Sequence, residues 1–458
     1  MTKVELSIDN KIRESARTDK IFALIYGVCV GIIVLFVKYE LLVLVTWVMV
    51  YLFSCFIIYL SQGKLRIFTP TSLFFVFYSV VLVPGSLIVS SRTGDLRLAG
   101  IVTGGLFFYS LGVLLSTILS NFRPRREFLS FTKTEWKDSW HTPGFYIILW
   151  ILILFSLFLA FVYFWQFGIP FLSSNVEQAR LTAISSSSYL FPGFRLLLLF
   201  VLIIVMIKSE IYNSKWRFLE LMLLSVTFTI FLATAFRAPI AALIITFLLT
   251  RQFCRGSLSL RMLMVLSIIF IMIFGFVTWR RYTHGFVDRT FWDIPRFVLK
   301  AIQHRILLSN VSNLQFILDF FPKKHGYLHG GSYLMDLKAI APGPDIAFGG
   351  WLTMHKNPEL AGIVGMTQTI IGECYANFGA LGVVLCMFWF GVTVQSLFVW
   401  FVRSRKKLSS TVLIIFLTVN LAWTVMRGLG NFAFSKLVPI LIVFTLLELS
   451  AWLRPISD

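Results

Sequence analysis

The chain has 458 residues, of which 58% are apolar, 16% aromatic and only 14% charged. Soluble globular chains carry about 25% charged residues, so most of this surface must face lipid; a secreted disulfide scaffold, a disordered chain and a soluble nucleic-acid binder are all excluded. The net charge of +20, from 41 Lys and Arg against 21 Asp and Glu, is read as topology before chemistry, because Lys and Arg gather at the cytoplasmic ends of membrane helices.

Apolar stretches of about 17 to 25 residues bounded by charge predict an all-α polytopic membrane protein with about twelve spans. The first nine are Ile21–Val37, Leu41–Leu60, Ile67–Ser90 with a kink at Pro84, Leu98–Leu119, Phe145–Phe167, a short Phe194–Ile207, Trp216–Phe236, Pro239–Phe253 and Met262–Thr278. A polar interval follows. Gly365–Val402 is too long for one straight crossing and should contain a broken or re-entrant start, and Val412–Met426 and Leu437–Trp452 complete the set.

Placing the N-terminus in the cytoplasm and alternating sides puts more than half of the Lys and Arg inside, including the clusters Arg123, Arg125, Arg126 and Arg403, Arg405, Lys406, Lys407. The expected organisation is a cytoplasmic segment over 1–20 without a cleavage-type site, nine spans over 21–278, one large outer loop with short helices over 279–366, and three spans with a short cytoplasmic C-terminus over 367–458. The spans are expected to be nearly free of internal charge.

Some chemistries are missing. There is no P-loop for a nucleotide triphosphate, no D-x-D pair to hold a divalent ion against a nucleotide sugar, and no H-E-x-x-H. His325 and His329 stand at i, i+4 but are followed by Gly326 and Gly330, which argues against one helix carrying both. Cys29, Cys55, Cys254, Cys374 and Cys386 lie in or beside apolar spans with no C-x-x-C, where free Cys packs as a small hydrophobe. No metal and no cofactor are expected, and no nucleic-acid partner; membrane lipids are.

Three constellations carry chemistry. The outer loop reads H-G-Y-L-H-G-G-S-Y-L-M-D-L-K-A-I-A-P-G-P-D-I-A-F-G-G-W-L-T up to Thr353, a shaped segment of the kind that presents binding groups on a scaffold. Its aromatic faces Tyr327, Tyr333, Phe348 and Trp351 suit sugar rings, or alternatively form an interfacial aromatic belt. Arginines at the outer ends of spans are the second: Arg237 in T-A-F-R-A-P, Arg280 and Arg281 after Trp279, Arg427 in M-R-G-L-G-N, and Arg180 in the Ser-rich loop. A guanidinium makes two parallel bonds to phosphate oxygens, so several converging would hold a pyrophosphate; snorkelling to lipid headgroups is the alternative. The third is M-T-Q-T-I-I-G-E-C-Y-A-N-F-G-A-L-G, where Glu373 sits at the start of an apolar span, followed by Tyr375 and Asn377. A carboxylate there must pair with a basic residue or face water.

These motifs, together with W-Q-F-G-I-P-F over Trp165–Phe171 and A-R-L-T over Ala179–Thr182, resemble the Wzy-type O-antigen and capsule repeat-unit polymerases, G-E-C-Y-A-N-F-G being the most specific. The resemblance implies a GT-C-like glycosyltransferase of the bacterial inner membrane, and the Lys and Arg distribution places both termini in the cytoplasm as an expectation. It would transfer a growing glycan from an undecaprenyl-pyrophosphate-linked donor to the sugar end of an incoming lipid-linked acceptor on the periplasmic face, with a polysaccharide chain-length regulator as a partner. The expected reaction is a metal-independent displacement with inversion. Glu373, Asp336, Asp345 and His329 are the candidate bases, Arg237, Arg280, Arg281, Arg427 and Arg180 the pyrophosphate ligands, and Tyr327, Tyr333, Trp351, Tyr375 and Asn377 the glycan contacts. An O-antigen ligase-like enzyme and a lipid-linked oligosaccharide flippase are the alternatives.

Overall fold

The computed structural model describes residues 41–62, 68–122, 140, 142–186, 189–212, 214–255, 259–282, 308–340, 346–360, 365–403 and 407–452. The expected span Ile21–Val37 and the candidate base Asp345 lie outside them.

The described residues form helices and no strand. They are α1 Leu41–Gln62, α2 Pro70–Val81, α3 Val83–Thr93, α4 Leu96–Leu119, α5 Pro143–Phe167, α6 Val176–Ser186, α7 Leu190–Tyr212, α8 Ser214–Ala233, α9 Arg237–Arg255 and α10 Leu260–Tyr282. The loop helices α11 Asn310–Phe320, α12 Gly331–Lys338 and α13 Phe348–Lys356 follow, then α14 Ile370–Arg403, α15 Leu408–Arg427, the short α16 Leu429–Phe432, a π-helical turn Ala433–Leu437 and α17 Val438–Trp452. Ten helical segments among the described residues are long and apolar enough to cross a membrane. The chain is an all-α polytopic membrane protein.

Backbone groups in lipid must be satisfied within the segment, which is why apolar runs of this length become helices. Pro84 marks a real interruption, with α2 and α3 meeting at Leu82. The windows of α7 and α15 are 72% and 78% buried whereas those of α5, α8, α10 and the last span are 22–28% buried, so α7 and α15 run through the bundle interior and the others face lipid. α4 and α14 pack backbone to backbone: a Cβ at Gly112 would overlap the Phe388 carbonyl, and one at Gly391 the Tyr109 carbonyl. Small residues permit this approach, and interhelical hydrogen bonds hold it. Gln395 of α14 accepts from Thr71 Oγ1 at 2.8 Å and donates to Thr117 Oγ1 at 3.1 Å.

At the end of the bundle opposite the loop helices, buried charge is enclosed. Lys208 Nζ donates to the Trp140 carbonyl at 2.7 Å, with the Phe145, Tyr146 and Trp216 rings around it. Arg251 pairs with Glu210 and Glu220.

The expectation of spans nearly free of internal charge is corrected. Arg195 and Lys208 lie inside α7, and Lys436 lies within the span Leu429–Ser450. The predicted spans Phe194–Ile207 and Leu437–Trp452 are correspondingly too short, because each was cut at or near a cation that the helix carries inward.

Candidate functional site

The site is organised by the start of α14. Thr369, in the left-handed region at φ 53, caps the helix by accepting the Gly372 N–H at 3.0 Å. Nine residues after Thr369 the helix breaks at Phe378 and Gly379, with Gly379 at φ 66 and the Tyr327 hydroxyl 2.8 Å from where its Cβ would stand. The break frees the carbonyls of Ala376 and Asn377, which accept the N–H groups of Leu328 at 2.9 Å and His329 at 3.1 Å. The Asn377 side chain accepts from Gly330 N at 2.9 Å and donates to Ser332 Oγ at 2.7 Å and to the Glu373 carbonyl at 2.9 Å. The motif G-E-C-Y-A-N-F-G therefore locks the loop segment before α12 onto the half-helix that carries Glu373.

Glu373 is fully buried. Its Oε2 accepts the Leu429 N–H, and Gly430 N lies 3.1 Å from Oε1 and 3.3 Å from Oε2. Asp336 of α12 is also buried; it accepts the Phe348 N–H at 2.9 Å, starting α13, and Gln368 Nε2 at 3.2 Å. Burial raises the Asp336 carboxyl above the usual range, and the bonds from Phe348 and Gln368 pull the other way. A Cβ at Gly430 would stand 2.7 Å from Asp336 Oδ2 and 2.8 Å from Glu373 Oε1; one at Gly428 would stand 2.6 Å from Glu373 Oε2 and 2.7 Å from Gln368 Nε2. Gly428 and Gly430 thus stand against two carboxyl groups and a glutamine with no room for a side chain at either position.

Arg427 precedes this turn. Its side chain is exposed at the end of α15. Arg195 of α7 lies within electrostatic reach of Arg427, and Lys436 of both. Among the described residues none of these three cations has a hydrogen bond or an ion pair. Lys436 belongs to the π-helical turn, a geometry frequent at functional sites. Three cations within electrostatic reach of one another and without a carboxylate partner among the described residues are the candidate anion-binding group.

A second basic group adjoins it. Glu177 of α6 binds Arg180 at 2.5 Å and Arg281 at 2.5 Å. Burial alone would raise its carboxyl, but the two guanidiniums hold it down at about 2. Arg280 donates to the Ser173 carbonyl at 3.3 Å, and Arg237 to Thr278 Oγ1 at 2.8 Å. The groups are joined by aromatic rings: Arg180 lies over Phe236, Phe236 packs on Phe191 with centroids 4.6 Å apart, and Arg195 lies over Phe191.

The other predicted residues divide. Tyr333 stands beside Glu373 and Cys374, and burial followed by these neighbours pushes its hydroxyl up; Tyr327 meets Tyr375 edge to face at 6.0 Å. Trp351 instead belongs to an aromatic cluster with Phe320, Phe321, His325 and His355. His329 is exposed, at φ 46, with its ring 6.3 Å from Phe378. Sequence reasoning missed Arg195, Lys436, Gln368 and the paired glycines 428 and 430. The available signal for Arg195 was a cation inside an apolar run, which marks a functional position by default.

The sequence matches the family described as "Putative O-antigen polymerase" over residues 28–428. No curated protein and no solved structure matches the chain. The matched stretch includes Arg195, Glu373 and Arg427 and ends before Lys436.

Proposed function

The chain belongs to the O-antigen polymerase family, and on that footing we propose that it joins lipid-pyrophosphate-linked oligosaccharide repeat units into a surface polysaccharide. The role in O-antigen polymerisation follows from the family; the substrates, the side of the membrane and the residue roles are our reading. The loop helices face the periplasm of the inner membrane, and both termini are cytoplasmic. The observation that carries the mechanism is the convergence of Arg195, Arg427 and Lys436 without a carboxylate partner among the described residues.

In this reading the donor is a glycan on undecaprenyl pyrophosphate. The hydroxyl oxygen of the acceptor's terminal sugar attacks the donor's anomeric carbon, the bond from that carbon to the pyrophosphate oxygen breaks, and configuration inverts. Undecaprenyl pyrophosphate leaves with the bonding electron pair. Arg195, Arg427 and Lys436 stabilise the charge that develops on it, the kind of preorganised electrostatic stabilisation that contributes most to many enzymes. His329 takes the acceptor proton. It is exposed at the loop helices and held in a left-handed conformation, of the kind that clusters at active sites, whereas Glu373 and Asp336 are buried and already hydrogen-bonded. General base assistance contributes about a hundredfold to ten-thousandfold. Tyr327, Tyr333, Tyr375 and the Asn377-pinned loop line the approach for the glycan.

The test is purified protein in proteoliposomes supplied with a lipid-pyrophosphate repeat unit, with products sized on a gel. A ladder that disappears in Arg427→Ala and Arg195→Ala supports polymerisation. A single addition to a lipid A acceptor would make the protein a ligase, and relocation of substrate without a new bond would make it a flippase.

A further inference from the structure

Glu373 is the most conspicuous carboxylate in the chain, yet it is fully buried and its oxygens are occupied by backbone N–H groups of one turn. That turn follows directly on Arg427. On the other side of Arg427, the Met426 carbonyl accepts the N–H of Thr369, the residue that caps the helix bearing Glu373. Arg427 is therefore bracketed by two attachments from a single piece of structure, the first turn of α14. Gly428, at φ 82, lets the chain turn between them and has no room for a Cβ beside Glu373 and Gln368. Gln368 closes the clamp by donating to Asp336, which also stands against Gly430.

A hydrophobic residue could fill this space but would leave the N–H groups of Leu429 and Gly430 without an acceptor. A carboxyl group accepting from two such groups orients the peptide planes that follow Arg427, and removing it would leave both N–H groups unsatisfied in a buried setting.

We propose that Glu373 is the positioning residue of Arg427: by accepting the N–H groups of Leu429 and Gly430 it fixes the turn from which the guanidinium meets Arg195 and Lys436 at the anion site. The assignment rests on reading Arg427 as a pyrophosphate ligand, and it predicts that Glu373 acts through Arg427 and takes no proton from the acceptor. Asp336 and Gln368 pack against the same turn.

The experiment uses the full chain in lipid nanodiscs, with calorimetric titration of inorganic pyrophosphate and steady-state kinetics on a lipid-linked repeat unit. Glu373→Ala and Arg427→Ala are each expected to weaken pyrophosphate binding by about tenfold or more, with the double variant no weaker than Arg427→Ala alone. Glu373→Gln keeps an oxygen for one of the two N–H groups and is expected to stay within about threefold of wild type in binding and to retain turnover. Where the alanine variant fails to fold, Glu373→Gln carries the test, since its small loss must vanish in the Arg427→Ala background. Additive losses in the double variant overturn the proposal. So does a Glu373→Gln protein that binds pyrophosphate like wild type but turns over no faster than Glu373→Ala, which is the signature of a proton acceptor. Wild-type protein that binds no pyrophosphate overturns the anion reading of the cation cluster itself, and the positioning role with it.

Discussion

Arg195 of α7 and Arg427 of α15 lie close enough for each charge to act on the other, and among the described residues neither is paired with a carboxylate. Elsewhere in this bundle cations are paired: Arg251 with two glutamates, and Arg180 and Arg281 with Glu177. Two like charges, joined by Lys436, are costly in a low-dielectric setting unless an anion completes them. The contrast between the paired and the unpaired clusters is what supports the second as the proposed anion site.

Removing one member of the unpaired cluster should have opposite effects on stability and on binding. Arg195→Leu and Lys436→Met are expected to raise the melting temperature of the ligand-free protein, because a repulsion disappears, while lowering pyrophosphate affinity by about tenfold or more. Thermal melts with and without pyrophosphate measure both. A variant that loses stability and keeps affinity would place that residue outside the anion site.

Glu177 predicts a pH dependence. Its folded carboxyl sits at about 2, below the roughly 4.3 of an unfolded glutamate, so the ion cluster stabilises the fold above the unfolded value and loses its contribution as pH falls toward 2. The melting temperature of wild type should exceed that of Glu177→Gln by a constant margin from pH 8 to 5, and the margin should shrink below about pH 4. Each guanidinium left uncompensated in Glu177→Gln should cost on the order of 1 to 3 kcal/mol.

The glycines make a contrast. Gly430→Ala would drive a Cβ against Asp336 and Glu373, and overpacking of this kind costs about 1 to 3 kcal/mol; here it should also abolish polymer formation by displacing the Arg427 turn. Gly94→Ala has no atom within 4 Å of its Cβ and suffers only its φ of 73, a cost of about 1 kcal/mol. Activity per folded molecule should therefore fall in the first variant and persist in the second, read from gel ladders normalised to monodisperse protein.

Turnover should persist in excess chelator if, as proposed, Arg195, Arg427 and Lys436 supply the charge that the leaving pyrophosphate needs. Loss of activity with EDTA and its recovery with magnesium would refute the metal-independent step.

Hydropathy alone determined the class of this protein, since a backbone crossing lipid must close its hydrogen bonds within each segment, and the required run of apolar residues is visible locally. It also marked Glu373, because a carboxylate opening an apolar span is anomalous whatever surrounds it, and Arg427, because it ends one. Only the tertiary structure decided that Glu373 holds a turn, that Asp336 starts α13, and that Arg195, Arg427 and Lys436 share one place. Lys436 carries no local signal, because it stands at the edge of an apolar run where a cation is ordinary. These residues lie on three different segments, and no local pattern encodes which helix ends will meet. Their convergence comes from packing: α7 and α15 run through the bundle interior, and the broken start of α14 grips the turn after Arg427 from the side.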